Sequence, residues 1–156
     1  NYALAIPQLK NEYKEAQVPL LRGEKAFYVA ESYRLSGDFK NAEGWYAEAI
    51  KQGYDAIATY NYALTLKANE KYKQAIEQFT KVIEMDEKFV EAYNMRGSCY
   101  SALKKNDEAV KDFSKAIELN PDNRGAYLNR SLAFKAMGKL PQAKSDTLKA
   151  SKIADW

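Results

Sequence analysis

An alanine followed four residues later by an aromatic recurs along this chain. The pairs are Ala42 with Tyr46, Ala75 with Phe79 and Ala109 with Phe113, and a weakened copy places Thr147 after Ala143. The alanines lie 33, 34 and 34 residues apart. Three residues past each bulky position comes Ala49, Val82, Ala116 or Ala150. Self-similarity at a fixed interval of this length is the mark of an array of like units, each stacked on the next.

The upstream half of each unit repeats as well. Tyr33, Leu66, Tyr100 and Phe134 share one register, and three residues before each stands a small residue: Ala30, Ala63, Gly97 or Ser131. Spacings of three, four and seven are the helical period, so each unit holds two amphipathic helices. The small residues mark where the two helix backbones come close. The aromatics fill the space between neighbouring units. One hairpin alone cannot bury its apolar stripe, so stacking builds the core. Gly37 and Gly138 fall between the two helices of their hairpins. Gly53-Tyr54-Asp55 and Asn120-Pro121 punctuate units, and Pro141 falls near a first helical turn.

These residues resemble the tetratricopeptide repeat, whose signature is W-x2-L-G-x2-Y, then A-x3-F, then P. The third unit matches as Tyr93, Arg96, Gly97, Tyr100, Ala109, Phe113 and Pro121, departing with Tyr for Trp and Arg for Leu. The fourth reads Tyr127, Arg130, Ser131, Phe134, Ala143 and Thr147. The resemblance implies an all-α fold, a right-handed α-solenoid of antiparallel helix hairpins. The units are 23–55, 56–89, 90–123 and 124–156. Residues 1–22 supply the second helix of a truncated preceding repeat plus a linker, because Tyr2–Tyr13 aligns with Tyr72–Ile83. Pro7 sits inside that helix as a candidate kink. With no polar capping helix at either end, the expectation is a piece of a longer protein.

Composition narrows the function. The formal net charge is +3, from 24 basic and 21 acidic residues mixed along the chain, which is a solvated surface and not a nucleic-acid footprint. There is no histidine and one cysteine, Cys99, so the commonest general base and zinc ligand are missing and no internal disulfide can form. We expect no catalytic residues, no metal and no cofactor. No apolar run of membrane-spanning length occurs, so membrane insertion by these residues is not expected. Cys99 reads as a small buried apolar residue. Trp45 reads as partly covered by the N-terminal helix, Trp156 as a ring whose cover is missing, and Lys104, Lys105, Lys149 and Lys152 as solvated charges.

By the same resemblance, the first helices of the units line a concave groove. The residues placed there as partner contacts are Tyr28, Arg34, Tyr60, Asn61, Lys67, Asn94, Met95, Asn129 and Lys135. Asn61, Asn94 and Asn129 each offer an amide donor and acceptor that match the backbone of an extended peptide. Tyr28, Tyr60 and Met95 suit apolar side chains, and Arg34, Lys67 and Lys135 suit carboxylates. The plainer alternative has the asparagines bonded to a neighbouring helix, the lysines and arginines solvated, and Phe27 and Tyr28 packed under the N-terminal helix. One family variant clamps the carboxylate of chaperone tails with Lys, Asn, Asn, Lys and Arg in order. The corresponding positions here hold Phe27, Glu31, Asn61, Glu91 and Met95, or one unit later Tyr60, Leu64, Met95, Gly125 and Asn129. Neither set carries the basic residues, so that clamp is not expected.

Ala30–Ile50 also resembles repeats of Bacteroidota envelope proteins, which carry OmpA-like domains or belong to type IX secretion. That resemblance implies a periplasmic or cell-envelope setting; without it the cytoplasm is equally open. Two functions follow from the sequence. One is a non-catalytic scaffold that binds a peptide or helix of a partner protein. The other is an architectural spacer that associates end to end.

Overall fold

The computed structural model describes residues 2–153, so Trp156 lies outside the described residues. The order is α1 (Tyr2–Glu15), α2 (Pro19–Leu35), α3 (Phe39–Lys51), α4 (Asp55–Ala68), α5 (Tyr72–Met85), α6 (Val90–Ala102), α7 (Asn106–Leu119), α8 (Arg124–Ala136) and α9 (Leu140–Lys152). No strand occurs among the described residues. The fold is all-α, built of antiparallel hairpins whose partners are α2 with α3, α6 with α7 and α8 with α9. The contacts group into two compact units that divide between Val82 and Ile83, within α5.

In the N-terminal unit, α1 runs through Pro7 and packs on α2. The repeat register begins at Gly23, but α2 itself begins at Pro19. A proline in the first turn loses nothing, because its missing N–H would have had no intrahelical acceptor. The repeated positions Ala30, Ala42, Tyr46, Ala49, Ala63, Ala75 and Phe79 are all buried. Trp45 meets Tyr13 of α1 edge to face at 5.1 Å, so the N-terminal helix does cover it. Phe27 is buried in the core with Tyr46 and Ala49.

In the C-terminal unit, a Cβ added at Gly97 of α6 would lie 2.8 Å from the Phe113 ring of α7. Glycine is required there because the aromatic fills the space where a side chain would stand. The aromatic thus packs inside its own hairpin as well as toward the next repeat, where Ala133 joins its cluster. The last hairpin solves the same problem differently. Ser131 donates to the Ala143 carbonyl at 2.8 Å and lies 2.8 Å from the Thr147 hydroxyl, so a polar pair replaces the glycine-aromatic pair. Cys99 is buried, whereas Lys104, Lys105, Lys149 and Lys152 are exposed.

The turns that follow α2, α4, α6 and α8 each place one residue in the left-handed region: Gly37, Glu70, Lys104 and Gly138, with φ of 83°, 58°, 59° and 72°. At Lys104 the turn closes through Lys104 N–H to the Ser101 carbonyl and Lys105 N–H to the Tyr100 carbonyl, both at 2.9 Å. A side chain in this conformation costs about 1 kcal/mol relative to glycine. Lys104→Gly is therefore expected to raise the stability of the protein by up to about 1 kcal/mol, read as a higher urea midpoint.

Candidate functional site

Each unit presents a face made by its first helices, and the predicted contact residues distribute over the two. In the N-terminal unit that face belongs to α2 and α4. Tyr28 is 44% exposed, so it is not packed beneath α1, and Phe27 meets Tyr46 and Tyr54 instead; Ile57 beside Tyr60 is 57% exposed. Tyr60 is half-buried, with its ring edge toward Phe79 at 5.9 Å. Lys67 lies half-buried in the last turn of α4, where its charge complements the helix C-terminus.

Glu31 organises this face. Its carboxylate accepts two hydrogen bonds from Arg34, at 3.2 and 2.6 Å, and one from the Asn61 amide of α4 at 2.9 Å. It also accepts from the Tyr46 hydroxyl. Asn61 is therefore a brace between α2 and α4, and Arg34 is committed to a carboxylate of its own chain. Burial pushes the Glu31 carboxyl up, but the hydrogen bonds from Arg34, Tyr46 and Asn61 outweigh it and hold the group below the usual range. The Tyr46 hydroxyl is raised, first by burial and then by its bond to Glu31. A carboxyl depressed in the folded state adds stability above its unfolded value and loses that stability as pH falls through the folded value. Urea midpoints are expected to drop between about pH 5 and 3, with a smaller drop in Glu31→Gln.

In the C-terminal unit the face belongs to α6 and α8. The Asn129 amide donates to the Asn94 side-chain carbonyl at 3.1 Å, bridging the two helices. That bond leaves N–H groups on Asn94 and a carbonyl on Asn129, a donor and an acceptor side by side. Met95 is half-buried, Lys135 is exposed in the last turn of α8, and Leu132 is 62% exposed. The plainer reading of the asparagines, bonds to a neighbouring helix, thus describes Asn61, Asn94 and Asn129.

Sequence reasoning missed two features. Glu31 carries the network of the first face, and its signal was Arg34 three residues on, the spacing of a helical ion pair. The other is a repeated bidentate pair behind the second face. Arg96 grips Asp112 with two bonds of 2.8 Å, and Arg130 grips Asp146 in the same way. Both pairs span 16 residues and recur 34 apart, and their acids are buried. Arg96 is the residue that departs from the leucine of the repeat signature.

Comparison with known proteins follows the same lines. A family model described as tetratricopeptide repeat matches residues 90–123, and a second of that description matches residues 57–89. Serine/threonine-protein phosphatase 5 of Rattus norvegicus is 32% identical over 91 residues, which are 58% of this chain and 18% of the phosphatase. The TPR repeat-containing protein YpiA of Bacillus subtilis (strain 168) is 30% identical over 74 residues, 47% of this chain and 18% of that protein. The chain therefore spans less than a fifth of the length of these relatives. Among solved structures, MamA from Desulfovibrio magneticus RS-1 has the same fold, with a TM-score of 0.89 at 16% identity over 97% of this chain and 85% of that one. The second TPR of Spaghetti (RPAP3), bound to the HSP90 peptide SRMEEVD, has a TM-score of 0.62 at 29% identity over 64% of this chain and 92% of that one. No helix among the described residues is long and apolar enough to cross a membrane.

Proposed function

Because this chain carries tetratricopeptide repeats, we propose that it is a non-catalytic scaffold whose first-helix faces bind a peptide or helix of a partner protein. The observation that carries this reading is the pair Asn94 and Asn129, which leaves an amide donor and acceptor side by side on a face that also exposes Leu132. A peptide group needs that combination, and an adjacent apolar side chain would meet the leucine. A structural neighbour, the second TPR of Spaghetti, was solved with an HSP90 peptide bound. This chain lacks the basic residues of the carboxylate clamp, and Arg34 is held by Glu31. We therefore assign it an internal peptide segment and not a free C-terminus. Tyr28, Tyr60, Lys67, Met95 and Lys135 flank the asparagines as secondary contacts.

The test is capture from the native lysate by the wild-type chain and by Asn61→Ala/Asn94→Ala/Asn129→Ala, after circular dichroism shows equal folding. A partner held by the wild type and lost by the variant supports the reading. Equal recovery moves the contact elsewhere. The Ala30–Ile50 resemblance suggests a bacterial envelope or secretion assembly, and cell fractionation of the native protein checks that part separately. An architectural role is favoured by one observation: α9 exposes Leu140 and Leu148, and α1 exposes Tyr2 and Leu4. End-to-end association through such residues would appear as concentration-dependent sedimentation that Leu140→Lys/Leu148→Lys abolishes.

A further inference from the structure

The second-helix side of the N-terminal unit holds a cavity of about 360 Å³ lined by Tyr13, Lys40, Asn41, Gly44, Trp45 and Glu48. Gly44, exposed in the middle of α3, is part of that lining. No turn requires a glycine there, and a Cβ at Gly44 would meet nothing within 4 Å. A mid-helix glycine is disfavoured against alanine, so its presence without a packing reason points to something outside the chain approaching the helix backbone. The repeat supplies an internal comparison. The matching positions of the other second helices hold Glu77, Lys111 and Ser145, and those matching Trp45 hold Gln78, Asp112 and Asp146. Among these second helices only α3 pairs a glycine with a tryptophan.

The polar groups at the rim are arranged with vacant capacity. Both hydrogen bonds to Glu48, from the Tyr13 hydroxyl and the Gln52 amide, go to Oε1, leaving Oε2 for an occupant. The Glu48 carboxyl is held below its usual range by Tyr13 and Gln52. The Asn41 amide nitrogen is used by Asp38, but its carbonyl is not. The lining carries one charge of each sign, Lys40 and Glu48, and further cations stand close by. Lys10 lies 5.5 Å above the Trp45 ring, Arg22 lies 5.7 Å above Tyr13, and Lys40 is exposed on the lining.

We infer that this cavity receives an extended segment of a partner protein carrying an aromatic side chain two residues from an acidic one. The aromatic would sit over Gly44 against Trp45 and Tyr13, and the acid would pair with Lys40. Lys40 and Gly44 are one helical turn apart, about 6 Å along the axis at 1.5 Å per residue. An extended chain covers that span in about two residues at 3.3 Å each. Glu48 Oε2 and the Asn41 carbonyl would accept N–H groups of the segment. This site is separate from the α2 and α4 face and does not rest on the function proposed above.

The test uses the full chain labelled with 15N and three pentapeptides capped at both ends. They are Gly-Asp-Gly-Phe-Gly, the same with Lys for Asp, and the same with Ala for Phe. Binding at millimolar peptide is expected to shift the Gly44 amide and the Trp45 indole N–H saturably with the first peptide. At least about tenfold weaker binding is expected for the other two. Gly44→Leu is expected to abolish the shifts at Trp45 without lowering the melting temperature, and Lys40→Glu to weaken the first peptide selectively. No saturable shift with any peptide, equal binding of the Asp and Lys peptides, or undiminished binding to a folded Gly44→Leu protein would each overturn the assignment.

Discussion

Phe113→Ala is expected to lower the stability of the protein by about 4 kcal/mol, measured as a shift in the urea midpoint at unchanged slope. The ring is buried and touches the one surface that no other residue can fill, the bare backbone of Gly97. Removing it deletes its transfer energy and opens a cavity that two rigid helices cannot close. The reverse substitution tests the same contact from the other side. Gly97→Ala places a methyl 2.8 Å from the ring, where overpacking costs about 2 kcal/mol. Combining Gly97→Ala with Phe113→Leu is expected to cost less than the sum of the single changes, because the smaller side chain leaves room for the methyl. Strict additivity would mean that the ring and the glycine do not share a contact.

Asp112→Ala is the second large effect, about 3 kcal/mol. Asp112 is buried and receives both Arg96 bonds, and its removal leaves a guanidinium over the Tyr93 ring at 5.7 Å without its carboxylate. The Arg96 guanidinium is held above its usual range, chiefly by the hydrogen bond to Asp112, so it keeps its charge throughout the accessible pH range. The repeat signature has leucine at this position. Arg96→Leu/Asp112→Leu is therefore expected to recover most of the loss, since an apolar pair of similar volume needs no desolvation of charge. If Asp112→Ala alone costs less than about 1 kcal/mol, the pair is solvated in the manner of a surface bridge. The same substitution at Asp146 extends the comparison to the matching pair, where Arg130 also donates to the Ser114 hydroxyl at 2.9 Å.

The architecture was legible in the sequence because its determinant is local and periodic. Ala42, Ala75, Ala109 and Ala143 are buried at their regular interval, and Gly37, Gly53 and Gly138 take the left-handed turns that their type suggests. Glu70 and Lys104 occupy matching turns without the residue type that marks them, because tertiary packing holds a local conformation that propensity disfavours. The candidate face was legible only as positions. That Asn61 faces Glu31 and Asn129 faces Asn94 depends on how helices 30 and 35 residues apart meet, which no local pattern encodes. Trp45 and Tyr13 were readable as a covered aromatic pair, but the cavity beside them arises from the absence of a side chain at Gly44.

The most direct measurement of partner binding places a photo-crosslinking amino acid at one position at a time and identifies adducts by mass spectrometry in the native lysate. Lys67 and Lys135 report on the first-helix faces, and Lys73 and Lys111 on exposed second-helix positions. A single partner crosslinked from Lys67 and Lys135, and not from Lys73 or Lys111, is the predicted result. The same partner captured only from Lys73 or Lys111 would contradict binding by the first-helix faces.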